Sequence, residues 1–371
     1  MKKIKTDKKV IFQYIPLWAA ILFAVSALSF IIEALSKKSV WLADAVSGTV
    51  GRFLRATFSY ATYIFPFSVA EMLLWSSPVI LGIVIYLALK CVKRSWRSFS
   101  RFIAGFLAIV SMVYSLFVCT IGAAYYGTKV ADRMGIERKD VSAEELYSTA
   151  LMLLDTMSEQ LDGMVYPEGT YSCMPYTYDE MNEKLNESYA VLCDRYDGID
   201  KLVSRTKPVI LSPYWTYTHL SGMYTFFTGE ANVNTNYPDF VMASSAAHEM
   251  AHQRGVVSED EANFIAFLVC YMSGDPFLVY AGCLDVYQDV ASSLASASPE
   301  LYAKLCAEVP KEVSGELHAY AVFFDKYREN VAAEVTDSVN NSYIENHNQP
   351  AGIKSYGMVV DLVVSYMLYE K

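Results

Sequence analysis

The sequence predicts a mostly helical α+β protein, with three N-terminal transmembrane helices followed by a large domain whose helices flank a small β-sheet. Three observations carry this. The 371 residues are 53% apolar with a mean hydropathy of +0.22, greasier than an average soluble domain. Three long apolar runs are confined to the first third of the chain. Beyond residue 125 the texture passes from helical periodicity to β-branched and aromatic residues and back.

Taken in order, residues 1–9 form a basic tail with Lys2, Lys3, Lys5, Lys8 and Lys9. Residues 10–35 read as the first span, with Glu33 near the far end as the only charge. They are too long for the apolar core of a cleaved leader, and Ile31-Ile32-Glu33 is a poor cleavage site. Residues 36–71 are an expected outer loop, 72–92 the second span, 93–101 a short cytoplasmic link, and 102–124 the third span. Each run is of the length that crosses a hydrocarbon core of roughly 30 Å as a helix. The tail and the link carrying Lys93, Arg94, Arg97 and Arg101 are basic. They are therefore expected in the cytoplasm, which puts residues 125–371 on the outer side of a multi-pass cell-membrane protein.

Charge divides along the same line. Residues 1–101 hold 14 Lys and Arg against 4 Asp and Glu, and the rest holds 16 against 36. An outer domain this acidic offers no footprint for phosphates, which excludes nucleic acid as a partner. The expected partners are the lipid bilayer and a peptide or protein substrate. Seven cysteines include no CxxC pair. Cys173 and Cys193 can bridge in an oxidising compartment, the other reading being single buried thiols.

Within the outer domain, Ser142 and Glu145 form a capping box before Leu146, Ala150, Leu153, Leu154 and Met157 at helical spacing. Residues 178–192 read as a second helix. Between Lys207 and Tyr237, β-branched and aromatic residues punctuated by Pro208, Pro213, Gly222 and Gly229 predict the small sheet. Helices resume near Ala243 and continue, interrupted at Gly274-Asp275-Pro276 and at residues 348–352.

The chemistry concentrates in His248-Glu249-Met250-Ala251-His252. Histidines four apart share one helix face and can grip one metal ion, while Glu249 can take a proton from a water at an open coordination position. The competing reading is a helix whose histidines are only hydrogen-bonded. Val241, Met242, Ala243, Ala246 and Ala247 mark a buried helix, where two histidines and a glutamate are costly unless something such as a metal satisfies them. Gly255 ends this helix, and Ser258 with Glu261 caps the next in a capping box. A short turn folds the second helix back on the first. Of Glu259, Asp260 and Glu261, Glu259 is the expected third ligand and Glu261 the alternative. All three acids also suit a helix N-terminus.

The stretch HEMAHQRGVVSEDEANFIAF resembles gluzincin-type metallopeptidases, in which HExxH is followed by a helix opening E-x-x-A-D or E-x-x-A-N; Glu259, Ala262 and Asn263 match. The resemblance implies a gluzincin-like domain with one zinc ion, Glu259 as third ligand, and Asn263 orienting a histidine. The spacing from His252 to Glu259 is shorter than in well-known gluzincins. The chain as a whole resembles a bacterial membrane family, domain of unknown function 3810, in its three N-terminal spans, Phe65-Pro66-Phe67-Ser68, Gly229-Glu230-Ala231-Asn232 and Ser355-Tyr356-Gly357.

Residues 225–234 read either as an edge strand for an extended peptide or as a scaffold strand, with Glu230 and Asn232 as candidate substrate-binding residues. His219, His318, His347 and Tyr356 are candidates for an electrophile, although lone residues of these types more often pack. The expected function is a zinc metallopeptidase hydrolysing peptide bonds on the outer side of the membrane. The alternatives are a catalytically inactive zinc-containing membrane sensor or binding protein, and a zinc amidase acting on cell-wall peptides.

Overall fold

The computed structural model describes residues 12–167, 171–346 and 358–370. The chain groups into two compact units: residues 1–54, 69–127 and 226–228 form the first, and residues 55–68, 128–225 and 229–371 the second.

In the first unit, α1 (Leu17–Ser36) is followed by the short α2 (Val40–Val46) and by α3 (Arg52–Tyr63), of which only Arg52–Leu54 groups here. Then come α4 (Val69–Arg94) and α5 (Trp96–Phe117), the latter continued by tighter and wider turns to Tyr126. Among the described residues, three helices are long and apolar enough to cross a membrane: Leu17–Ser36, Val69–Arg94 and Trp96–Tyr126. Contact between α1 and α5 is close because Gly105 leaves room for Trp18; a Cβ there would lie 2.9 Å from the indole. Serines join the same seam, Ser26 Oγ donating to Ser111 O at 2.9 Å and Ser115 Oγ to Ser26 Oγ at 3.0 Å. Hydroxyls that also bond their own helix are the polar contacts a lipid-facing bundle tolerates. None of the apolar window of α4 is buried within the chain, and lipid is the solvent that suits such a helix.

The second and third apolar helices are longer than the expected spans 72–92 and 102–124, whereas α1 is shorter than 10–35, and the expected link at 93–101 reduces to Ser95, whose hydroxyl accepts the Ser98 N–H at 3.1 Å. Long Lys and Arg side chains at helix ends carry their charge away from an apolar run without breaking the helix. The N-terminal tail lies outside the described residues. The expected outer loop 36–71 is also largely helical.

The second unit contains the remainder of α3, then α6 (Val130–Met134), α7 (Ala143–Gln160) and α8 (Tyr178–Arg195). Both α7 and α8 open on reciprocal capping boxes, Ser142 with Glu145 and Thr177 with Glu180. The sheet comprises β1 (Lys207–Pro208), β2 (Gly222–Thr225) and β3 (Glu230–Val233), with α9 (Ser212–Trp215) between the first two. β3 is the middle strand, parallel to β1 and antiparallel to β2 in the register Gly222↔Val233 to Thr225↔Glu230. The helices α10 (Asp239–Gln253), α11 (Glu259–Tyr271) and α12 (Pro276–Ala297) form the centre of the core. α13 (Pro299–Glu308), α14 (Lys311–Asp325), α15 (Val331–Asn346) and α16 (Val359–Ser365) complete it. Every residue from Phe240 to Ala247 is buried, as a helix apolar on all sides requires. Cys173 and Cys193 are free thiols.

Candidate metal centre

α10 ends in a turn that also orients His252. Gly255, at φ +94°, ends the helix: its N–H donates to His252 O at 3.0 Å, and the Val256 N–H donates to Ala251 O at 3.1 Å. This is the paired closure that a left-handed glycine permits. The Val256 carbonyl faces back and accepts the His252 Nδ1–H at 2.7 Å. A carbonyl only accepts, so the Nδ1 carries the proton and the Nε2 turns its lone pair inward. His248 is set the same way: its Nδ1 is 2.6 Å from Asn263 Oδ1 on α11. The two rings stand 4.6 Å apart at 85°.

Glu259, the first residue of α11, meets both inward nitrogens: its Oε2 lies 3.2 Å from His248 Nε2 and 3.5 Å from His252 Nε2. Ligand atoms of His248, His252 and Glu259 all lie within 4.8 Å of one another. Two lone pairs and a carboxylate oxygen facing each other repel unless a cation sits among them, a donor set able to hold a metal ion. A proton is the lesser substitute. Burial disfavours charge on His252, but the Glu259 carboxylate outweighs it and raises the pKa to about 9. Glu259, despite burial, is held below the ordinary carboxylate range by the His252 charge and by hydrogen bonds to both rings.

Each of the three consecutive acids has its own partner. Asp260 pairs with Arg138, which also reaches Asp361 of α16 at 2.9 Å. Glu261, the alternative ligand, is turned away: its Oε1 accepts the Ala131 N–H at 3.0 Å and its Oε2 the Ser258 hydroxyl at 2.8 Å. The expected capping box is thereby corrected, because Ser258 Oγ donates to Glu261 and accepts from Lys129 Nζ at 2.9 Å instead of capping a backbone N–H.

Glu249 is buried beside β2. The Tyr224 N–H donates to its carboxylate, and burial raises its pKa against the opposing influence of His248 and His252. Its Oε2 has no hydrogen-bond partner among the described residues. A buried carboxylate oxygen without a partner beside a cluster able to hold a metal ion calls for a cause. Nothing in the sequence singled out Gly222, yet a Cβ there would come within 2.5 Å of Glu249 Cγ and 2.6 Å of Oε1.

Glu230 and Asn232, the candidate substrate-binding residues, lie inside the sheet. Both are buried in the middle strand, and the Asn232 amide ties the hairpin by donating to Met223 O at 3.0 Å and Thr225 Oγ1 at 3.1 Å. The end strand beside Glu249 is β2, not β3. His219 Nε2 bonds Tyr327 O at 2.7 Å with its ring against Phe324, and His318 is exposed. His347, Tyr356 and the Ser355-Tyr356-Gly357 segment lie outside the described residues.

Asn263→Ala is expected to weaken metal binding by about 10–100-fold, the usual cost of losing a group that orients a ligand histidine. Competition titration against a chelating dye measures this; unchanged affinity would deny Asn263 that role.

Fold and site together define a largely helical protein carrying three membrane-length apolar helices and a buried His-His-Glu cluster able to hold a metal ion. A family model described as "Protein of unknown function (DUF3810)" matches residues 47–364, and the chain belongs to that family. Neither the curated proteins nor the solved structures compared with it gave a match.

Proposed function

We propose that this chain is a membrane-anchored, zinc-dependent metallopeptidase of gluzincin-like type that hydrolyses peptide bonds on the outer side of the membrane. The observation that carries the reading is the inward aim of both Nε2 lone pairs and the Glu259 oxygen beside the unpartnered Glu249 Oε2. His248, His252 and Glu259 would hold the ion. When bound, zinc supplies Lewis acidity, lowering the pKa of a water and polarising a carbonyl. Glu249 Oε2 accepts the proton of the attacking water and returns it to the leaving nitrogen. Burial keeps bulk water from Glu249 and strengthens its basicity. As the end strand beside Glu249, β2 offers its backbone to an extended peptide, with Met223 exposed along it. The basic flanks of the apolar helices support the outer placement of this unit.

Elemental analysis of the full chain, purified in detergent without chelators, tests the reading. About one zinc per chain is expected, abolished by His248→Ala or His252→Ala and reduced by Glu259→Ala. Folded protein that binds no divalent metal would sink it.

Metal must displace the proton that His252 otherwise carries. Apparent affinity is therefore expected to rise about tenfold per pH unit from 6.5 towards 9 and then level off. A pH-independent affinity would show that no such proton is released.

Gly222→Ala is expected to preserve metal content and lower peptide hydrolysis, because the added methyl must push Glu249 from its place. A loss of about 10–100-fold is expected from so small a displacement of a reacting group. Steady-state kinetics with metal analysis on the same sample measures it.

A further inference from the structure

The second unit exposes a patch of large apolar side chains that its own core does not use. Ile64, Ile210 and Tyr214 are 74%, 73% and 72% exposed, and Tyr63 and Phe65 also face outward. The patch is one surface, because Lys207 ties its two halves: Nζ donates to Thr62 O at 2.8 Å and to Phe65 O. Between the halves lies a groove of about 480 Å³, lined by apolar residues such as Phe67, Val209 and Ile210 and by the polar Ser212, Thr235 and Asn236. Isolated exposed apolar residues are ordinary, but a contiguous aromatic and aliphatic surface calls for an occupant.

Chain continuity points to the occupant. α4, the helix with no buried residue in its apolar window, begins at Val69. Phe67 is two residues before it and Ile64 five. At no more than about 3.6 Å per residue, Phe67 lies within ~7 Å and Ile64 within ~18 Å of the point where that helix starts. The interfacial layer on each side of a bilayer is ~5–7 Å deep, and Tyr, Trp and aliphatic side chains collect there. Among the described residues no Lys or Arg lines the groove, so apolar insertion rather than attraction to anionic headgroups would hold it.

We propose that the Tyr63–Phe67 and Ile210–Tyr214 surface beds into the interfacial layer of the bilayer at the Val69 end of α4. This second contact with lipid, separate from the apolar helices, fixes the unit that carries the His248, His252 and Glu259 cluster at the membrane surface.

The test uses the full chain in phosphatidylcholine nanodiscs, with an environment-sensitive fluorescent amino acid encoded in place of Ile210, Ile83 or Lys304, one at a time. Ile83 lies within α4 and reports whether that helix is in lipid; Lys304 is an exposed position on α13. The probe at 210 is expected to emit to the blue of the probe at 304, to lose most of its intensity when the upper acyl carbons are brominated, and to resist aqueous iodide. Adding anionic lipid or salt should change none of this. Iodide quenching at 210 without bromolipid quenching overturns the proposal while a quenched probe at 83 leaves the membrane helix standing. Protection of 210 from both quenchers also overturns it, since a protein, such as a second copy of the chain, would then cover the patch.

Discussion

Glu249→Gln is expected to bind metal as the unchanged protein does and to hydrolyse peptides about 10²–10⁴-fold more slowly, the usual contribution of a positioned acid–base group. The side-chain amide keeps the shape and retains an oxygen for the Tyr224 N–H. It loses the one thing the reaction needs, an oxygen able to take a proton. Metal content should not change, because the cluster consists of His248, His252 and Glu259, with Glu249 outside it. The metal-free variant should also melt higher than metal-free wild type, since a buried carboxylate with one orphaned oxygen is replaced by a neutral group. Metal analysis, steady-state kinetics and thermal melts on one preparation give all three readings. Wild-type turnover in Glu249→Gln would remove Glu249 from the chemistry whatever the metal content.

The parts of this site that were legible in the sequence are those whose geometry is local. Four-residue spacing puts His248 and His252 on one helix face whatever surrounds them, and Gly255 followed by an acidic helix start specifies the turn. The three acids show where local reading stops. Successive helix positions are about 100° apart, so only one of Glu259, Asp260 and Glu261 can face the histidines. Which one does so is decided by Arg138 and the Ala131 N–H, partners more than a hundred residues earlier in the chain. Gly222 was invisible for the same reason, as its need for a bare Cα arises from Glu249 across the β2–α10 contact. The apolar helices were readable from composition, but their ends were not, because basic side chains extend a helix as readily as they end a span. Strand order was equally hidden: β1 pairs in parallel with β3, a partner some two dozen residues away, and this places Glu230 and Asn232 in the interior. Helix α3, inside the expected outer loop 36–71, buries the polar side chains of Arg55 and Ser59, and what they meet, Asp200 among them, comes from far along the chain.

That last contact supports the second large expectation, a loss of stability of about 3–5 kcal/mol in Asp200→Asn, the cost of breaking a buried ion pair from one side. Arg55 donates to Asp200 Oδ2 from Nε at 2.9 Å and from Nη2 at 2.5 Å, with side chains only 2% and 7% exposed. The surroundings magnify the loss. The Asp200 N–H donates to Arg254 O at 3.0 Å, and the Arg55 guanidinium lies where a Cβ on Gly255 would approach Nη2 to 2.7 Å. Arg55 and Asp200 therefore brace the turn that aims His252. Nearby, Gln253 Nε2 donates to Ser59 Oγ at 3.1 Å and to Gly229 O at 2.6 Å, so α3 holds the end of α10 at two successive turns. For a domain of this size each kcal/mol moves the melting temperature by about 2–4 °C, giving a fall of about 6–20 °C for Asp200→Asn. Arg55→Met/Asp200→Leu should recover most of that loss, because an apolar pair of similar volume leaves no charge uncompensated. A double variant no better than Asp200→Asn would mean that the guanidinium is needed at the Gly255 turn itself, and metal affinity would then fall together with the melting temperature. Recovery of stability without recovery of metal affinity would separate the two roles: the ion pair would hold the fold, and the guanidinium would hold His252 in place.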